Sequence, residues 1–238
     1  MNFSVKWEKF IKVFIKKGGY EDVLIGLGNT AKIAVLGLII GIFIGTLIAA
    51  IRVMPKYKTL PRVLEAISSV YVGFFRGTPI VVQLLLGYFV LFPLMGLNVT
   101  SVTSCVIIFG LNSGAYVSEI MRSGINSVDI GQLEAGRAVG LGFSVTMLKI
   151  VIPQAIKNIL PTLGNEFISL IKETSVINFV GAIDLCTAFK KIGSNTYDVM
   201  VPYIVMAVCY IIIVYAITLL IKAMERRLNK SDRNHRAH

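Results

Sequence analysis

Charge is what this sequence does without over its longest stretches. Residues 77–118 hold not one Asp, Glu, Lys or Arg. A membrane crossing needs about 20 apolar residues, so this run is long enough for two and too long for a core helix of a soluble domain. Acid is scarce throughout, with 13 Asp and Glu against 24 Lys and Arg. Histidine is nearly absent, and His235 and His238 both fall in the terminal tail. No His/Cys/carboxylate cluster offers a metal site and no Ser/His arrangement offers a nucleophile, so the chain is not expected to be an enzyme or to hold a cofactor. Gly-x4-Gly-Lys-Ser/Thr is missing as well, which leaves the chain without a phosphate-binding loop of its own. The three cysteines, Cys105, Cys186 and Cys209, are an odd and scattered set, structural thiols rather than a disulfide framework. Lysines interrupt every apolar stretch of residues 1–19, which argues against a signal peptide there.

What is present is apolar surface: 55% of the 238 residues are hydrophobic and the mean hydropathy is +0.75. Only a bilayer covers that much of it, so the chain is expected to be an all-α integral membrane protein. The net charge of +11 is no sign of nucleic-acid binding, because the basic residues flank the apolar runs, where they meet anionic lipid headgroups. Near the N-terminus, Phe3, Trp7, Phe10, Ile11 and Phe14 share one helical face and Lys9, Lys12 and Lys16 the other. This pattern predicts an amphipathic helix in the headgroup plane, with a frayed basic tail as the alternative.

About five spans follow: 24–51, 80–97, 100–120, 156–183 and 201–221. The fourth is read as broken at Lys172-Glu173-Thr174-Ser175. Gly37, Gly41 and Gly45 form a smooth stripe on the first, suited to a closely packed neighbour, with a helix of the same subunit favoured over one of another subunit. The basic residues Arg52, Lys56, Lys58 and Arg62, those of 122–157 and those of the tail outweigh the other side. This bias places the C-terminus in the cytoplasm and the N-terminus outside, against the pull of the N-terminal lysines. The expected organisation is an interfacial segment at 1–20, a transmembrane domain at 21–225 and a basic tail at 226–238.

Residues 126–153 form a polar interruption between spans three and four. Asp129 is placed to cap a helix, with Gln132 three residues on, and Gly140 to end it in a left-handed conformation. The result is a short helix, a sharp turn and a second helix leading back into the membrane. Ala135, Gly136 and Ala138 are small enough to let a partner surface approach, while Glu134 and Arg137 supply charge for docking. The spacing is Glu134-Ala135-Gly136, three residues, Gly140, nine residues, then Ile150-Val151-Ile152-Pro153. It closely resembles the EAA loop of binding-protein-dependent ABC importers with the type I permease fold, although Gly136 and Ile152 replace the family's alanine and leucine.

Further stretches narrow the resemblance to polar amino-acid permeases, the family serving histidine, arginine, glutamine and cystine uptake. They are Phe75-Arg76-Gly77-Thr78-Pro79-Ile80-Val81-Val82-Gln83-Leu84, Asn112 through Ile120, and Gly164-Asn165-Glu166-Phe167 through Ser175. The resemblance covers residues 24–225. It implies a separate ATPase subunit dimer that binds the ATP, an extracytoplasmic solute-binding protein, and a second permease copy, identical or related, in a bacterial cell membrane. It also implies that the helix around Glu134 is the ATPase-coupling element.

The residues themselves point the same way. Ionisable groups inside apolar spans are costly and mark either a pathway or an internal ion pair. Glu119, Glu166, Lys172 and Glu173 are such groups, with Thr174 and Ser175 beside them and Asn112, Ser113 and Tyr116 as weaker candidates. Each of the charged groups either lines the substrate pathway or pairs internally, for instance Lys172 with Glu119 or Glu166. Arg76, beside Gly77 and Pro79, is expected to fix a helix break rather than touch substrate. An ion-driven secondary transporter or channel is the alternative, disfavoured because such proteins typically carry ten or more spans built from repeats.

Overall fold

The computed structural model describes residues 2–54 and 59–236, with side chains up to residue 227. The expected basic loop at Pro55, Lys56 and Lys58 and the side chains of Lys230, Arg233 and Arg236 lie outside that description. Among the described residues the chain forms nine helices. They are α1 (Phe3–Ile11, continued by a π-helical turn over Lys12–Lys16), α2 (Gly19–Val53), α3 (Thr59–Gly77), α4 (Ile80–Leu94), α5 (Ser101–Asn126), α6 (Ile130–Ala138), α7 (Phe143–Val180), α8 (Leu185–Thr196) and α9 (Met200–Arg236).

Four of these, α2, α5, α7 and α9, are long and apolar enough to cross a membrane. A fifth crossing requires α3 and α4 together, and these meet at a bend of 108°. The expected span at 80–97 is therefore corrected. At about 1.5 Å per residue α4 reaches about 22 Å, short of the roughly 30 Å hydrocarbon core. The break falls at Thr78-Pro79, because proline gives no N–H to a helix and disfavours helical backbone in the residue before it. The fourth span differs in another way. It stays α-helical through Lys172 and Glu173 and only then tightens, over Thr174–Val180, into a 3-10 helix. The sequence pattern did not announce α8. Asp184 caps it, accepting from the N–H groups of Cys186 and Thr187 at 3.0 and 2.9 Å.

The most extensive contact joins α2 to α5. Gly37 rests on Phe109, Gly41 on Ser113 and Gly45 on Val117, so each step of four on one helix matches a step of four on the other. The two helices therefore run parallel. The facing side is equally smooth, with Gly110 against Ile40 and Gly114 against Ile44. In lipid, where apolar burial drives little helix association, such backbone proximity supplies the dispersion contacts that hold helices together. The glycine stripe thus finds its neighbour within the subunit.

α7 runs antiparallel to α5, with Ile159 at Gly124 and Glu166 at Ser113. α9 runs antiparallel to α7, placing Ile221 on Gly164. The C-terminal ends of α2, α5 and α9 accordingly gather at one end of the bundle, together with α6. The N-terminal helix lies at the opposite end. Phe10 and Val13 are buried there against Leu185, Phe189, Ile192 and Val201, and Lys6 pairs with Asp198 at 3.2 Å. Part of the amphipathic face of α1 is thus covered by the protein itself, while Phe3 and Trp7 stay exposed.

A Cβ at Gly41 would sit 2.6 Å from Ser113 Oγ, and one at Gly45 2.7 Å from Val117 Cβ, whereas Gly28 has open space. Gly41→Ile or Gly45→Leu is expected to cost about 1–3 kcal/mol through overpacking. Thermal unfolding in detergent should show a lowered midpoint for both, with Gly28→Ala unchanged.

Candidate functional site

The polar interruption between α5 and α7 folds into a rigid elbow. Asp129 Oδ1 accepts from Gly131 N–H at 2.7 Å and opens α6. Gly140, at φ 80°, closes it. Leu141 N–H reaches back to Gly136 O and Gly140 N–H to Arg137 O, both at 3.0 Å. This paired closure needs a left-handed residue just past the helix, a conformation that glycine adopts without steric penalty. Gln132 does not complete a capping box. Its Oε1 accepts from Gln154 Nε2 at 3.3 Å and ties α6 to the helix that follows.

Glu134, Ala135, Arg137 and Ala138 are exposed, as are the apolar Ile130 and Val139. Gly136 differs from expectation. It is buried, and any Cβ there would collide with Thr146. Its smallness serves the packing of α6 on the start of α7 rather than the approach of another surface. Ile150 is half-buried and Pro153 exposed on the same stretch of α7.

Above the elbow lies a charge cluster centred on Glu119. Arg52, from the end of α2, donates to Glu119 Oε1. Arg122 donates to Oε2 from Nη2 at 2.7 Å and from Nε at 3.2 Å. Arg76 Nη1, from the end of α3, stands 3.9 Å away, with its guanidinium 5.6 Å from the centre of the Tyr116 ring. One carboxylate of α5 therefore joins the C-terminal ends of α2 and α3. It also forms a wall common to two cavities. One, of about 420 Å³, is lined by Arg52, Glu65, Arg122 and Asn126. The other, of about 440 Å³, is lined by Arg76, Tyr116, Ser123, Ser127, Asn158 and Thr162.

The remaining candidates divide. Ser113 is fully buried and donates to Glu166 Oε1 at 2.9 Å, level with the glycine stripe. Asn112 is also buried, and its Nδ2 bonds Gln83 Oε1 at 2.9 Å and Phe75 O at 3.3 Å. Thr174 is spent on the backbone, donating to Ile171 O at 2.7 Å. The expected pairing of Lys172 with Glu119 or Glu166 is not formed. Glu119 is taken by arginines and Glu166 by Ser113. Lys172 and Ser175 instead border an apolar groove of about 660 Å³ against Tyr210 and Tyr215 of α9, and Glu173 is half-buried beside them.

The structure thus brings Tyr116 and Glu119 together with Arg76, and Ser113 with Glu166. It holds Lys172, Thr174 and Ser175 apart from both groups. Arg52 and Gln83 were not singled out from the sequence. Gln83 stood in the sequence only as one position of the 75–84 stretch that carries the resemblance, with no role of its own. Arg52 read as a loop residue, because nothing local shows which carboxylate it meets.

Residues 37–230 match the family model of the binding-protein-dependent transport system inner membrane component. The chain belongs to that family. It is 41% identical over 199 residues to a protein of Rickettsia bellii named as a glutamine transport system permease, GlnP, covering 84% of this chain and 89% of that one. It is 38% identical over 210 residues to the arginine transport system permease protein ArtQ of Bacillus subtilis, covering 88% of this chain and 94% of ArtQ. Among solved structures, an amino acid ABC transporter with histidines matches at a TM-score of 0.80 and 38% identity, over 87% of this chain and 94% of that one. The MetNI methionine ABC transporter, at 19% identity and a TM-score of 0.68, shares the fold. The protein is thus a permease subunit of the ABC importer class, with the type I importer fold.

Glu119 is the shared acceptor of its cluster, so Glu119→Gln removes the carboxylate to which Arg52 and Arg122 both donate. The loss is expected to be on the order of 2 kcal/mol, below that of a fully buried pair because the cavities admit water. In a thermal unfolding series, Glu119→Gln combined with Arg52→Gln should cost less than the sum of the two single changes.

Proposed function

We propose that this permease imports polar or cationic amino acids as one half of a permease pair, driven by a separate ATPase dimer and supplied by an extracytoplasmic solute-binding protein. The observation that carries the reading is the exposed α6 elbow. Its backbone is fixed at both ends, and its charged residues Glu134 and Arg137 project from the bundle rather than into it. A stiff helix of this kind transmits a push, where a flexible loop would absorb it. α6 lies at the same end as Arg52, Arg122, Arg226 and Arg227, and the positive-inside bias puts that end in the cytoplasm, where ATP is available. The C-terminus would then be cytoplasmic and α1 external.

In this scheme, closure of the two ATPases draws the paired elbows together, which shuts the cytoplasmic side and turns the permeases from inward-open to outward-open, and their separation reverses it. The polar cavities beside Glu119 lie between the elbow and the middle of the bundle, on a path that a small zwitterion could follow. The names of the relatives, glutamine, arginine and cystine among them, support the amino-acid class without choosing a member of it. A cationic side chain would favour Glu166 over Glu119, because Glu119 is already engaged by arginines while Glu166 receives the Ser113 hydroxyl.

The test separates coupling from folding. Glu134→Arg reverses the exposed charge of the elbow, and Ala135→Trp adds bulk on its exposed face. Both chains are expected to insert and to be recovered with their partners, yet to lose uptake in proteoliposomes and substrate-stimulated ATP hydrolysis. Wild-type uptake by either variant, or transport by the permease without any ATPase, would overturn the proposal.

A further inference from the structure

A broken helix inside a membrane carries a specific cost. The last carbonyls of its first half lose their intrahelical donors, and lipid offers no replacement, at several kcal/mol for each group left bare. The break between α3 and α4 is of this kind. It lies level with the buried middle of α5, since Gln83 meets Asn112 there.

The carbonyls at this break are served by side chains. Thr78 Oγ1 donates to Phe74 O at 2.8 Å. Gln83 Nε2 reaches Phe75 O at 2.8 Å, Thr78 O at 3.0 Å and Thr78 Oγ1 at 2.9 Å. Asn112 Nδ2 adds a second approach to Phe75 O and also donates to Gln83 Oε1. Gln83 and Asn112 are only 5% and 4% exposed, so water does not substitute for either. Phe75 and Thr78 flank Arg76 and Gly77. Holding those two carbonyls therefore fixes the backbone that carries Arg76, which in turn stands over Tyr116 and within reach of Glu119.

We propose that Gln83 and Asn112 are positioning residues of the transport cycle: a buried amide clasp that sets the α3–α4 bend and, through it, the place of Arg76 at the cavity wall. The claim rests on the reading of this chain as a permease, but its geometric part does not. Simple core packing would be served as well by leucine, which is close to glutamine in volume. The clasp requires the amide.

The experiment uses the full transporter in lipid, with the three native cysteines replaced. Spin labels are placed at Val70 on α3 and Val90 on α4, both exposed. The parent should give a narrow distance distribution. Gln83→Leu and Asn112→Leu should broaden it and lower uptake, by up to about a hundredfold if Arg76 moves by an ångström, while recovery of the complex is unchanged. Because both amides serve one joint, the double variant should lose no more than the worse single one. A narrow, unchanged distribution with normal uptake in Gln83→Leu would overturn the proposal, and so would single losses that multiply in the double variant. Should Gln83→Leu fail to accumulate, Asn112→Leu, which leaves the Gln83 bonds to Thr78 in place, decides the matter by the same two readouts. Failure of the coupling reading would show instead as normal uptake in the elbow variants with the hinge distances unaffected.

Discussion

The close parallel contact of α2 with α5 is the constraint on which the rest depends. Glycines on both helices let the backbones approach to a separation that no larger residue permits. That contact fixes where the helices end, and so brings Arg52 at the foot of α2 to Glu119 near the foot of α5. Without it, a carboxylate and an arginine 67 positions apart in sequence would face lipid separately, each at a cost the bundle could not carry. The ion cluster is thus a consequence of helix packing as much as a cause of it.

Two polar devices then organise the interior. The Glu119 cluster ties the C-terminal ends of α2 and α3 to α5, on the elbow side of its middle. The Gln83–Asn112 clasp ties the α3–α4 break to α5 nearer the middle of the bundle. Between them stands Arg76, placed by the clasp through its backbone and by Tyr116 and Glu119 through its guanidinium. The elbow is joined to these groups by α5 and α7, which pack against one another from Gly124 at one end to Ser113 in the middle. Continuous packed helices convey displacement because their cores admit few intermediate arrangements.

Much of this was legible in the sequence, for identifiable reasons. Long charge-free runs and the glycine stripe depend on local composition and a fixed period, and both survived into the structure. The elbow was readable because Asp129 and Gly140 act on their own backbone within a few residues. The α3–α4 bend was half readable. Pro79 marked it, but the amphipathic 59–77 stretch gave no sign that it would be a helix turned by more than a right angle. The partners of Glu119, Glu166 and Lys172 were not readable at all. They are set by contacts across tens of residues, which give Glu119 to arginines and Glu166 to Ser113 rather than to Lys172. Gly136 shows the subtler limit: its small size was evident, but whether that served a partner or Thr146 was a question of tertiary structure.

The most direct test of the central claim is the address and the neighbour of α6. A single cysteine at Ala135, in a chain otherwise free of cysteine, should react with a membrane-impermeant thiol reagent only from the cytoplasmic side of oriented vesicles. A short bifunctional reagent should then join it to the ATPase subunit of the isolated complex. Labelling from the outer side, or no cross-link to a nucleotide-hydrolysing subunit, would contradict the account.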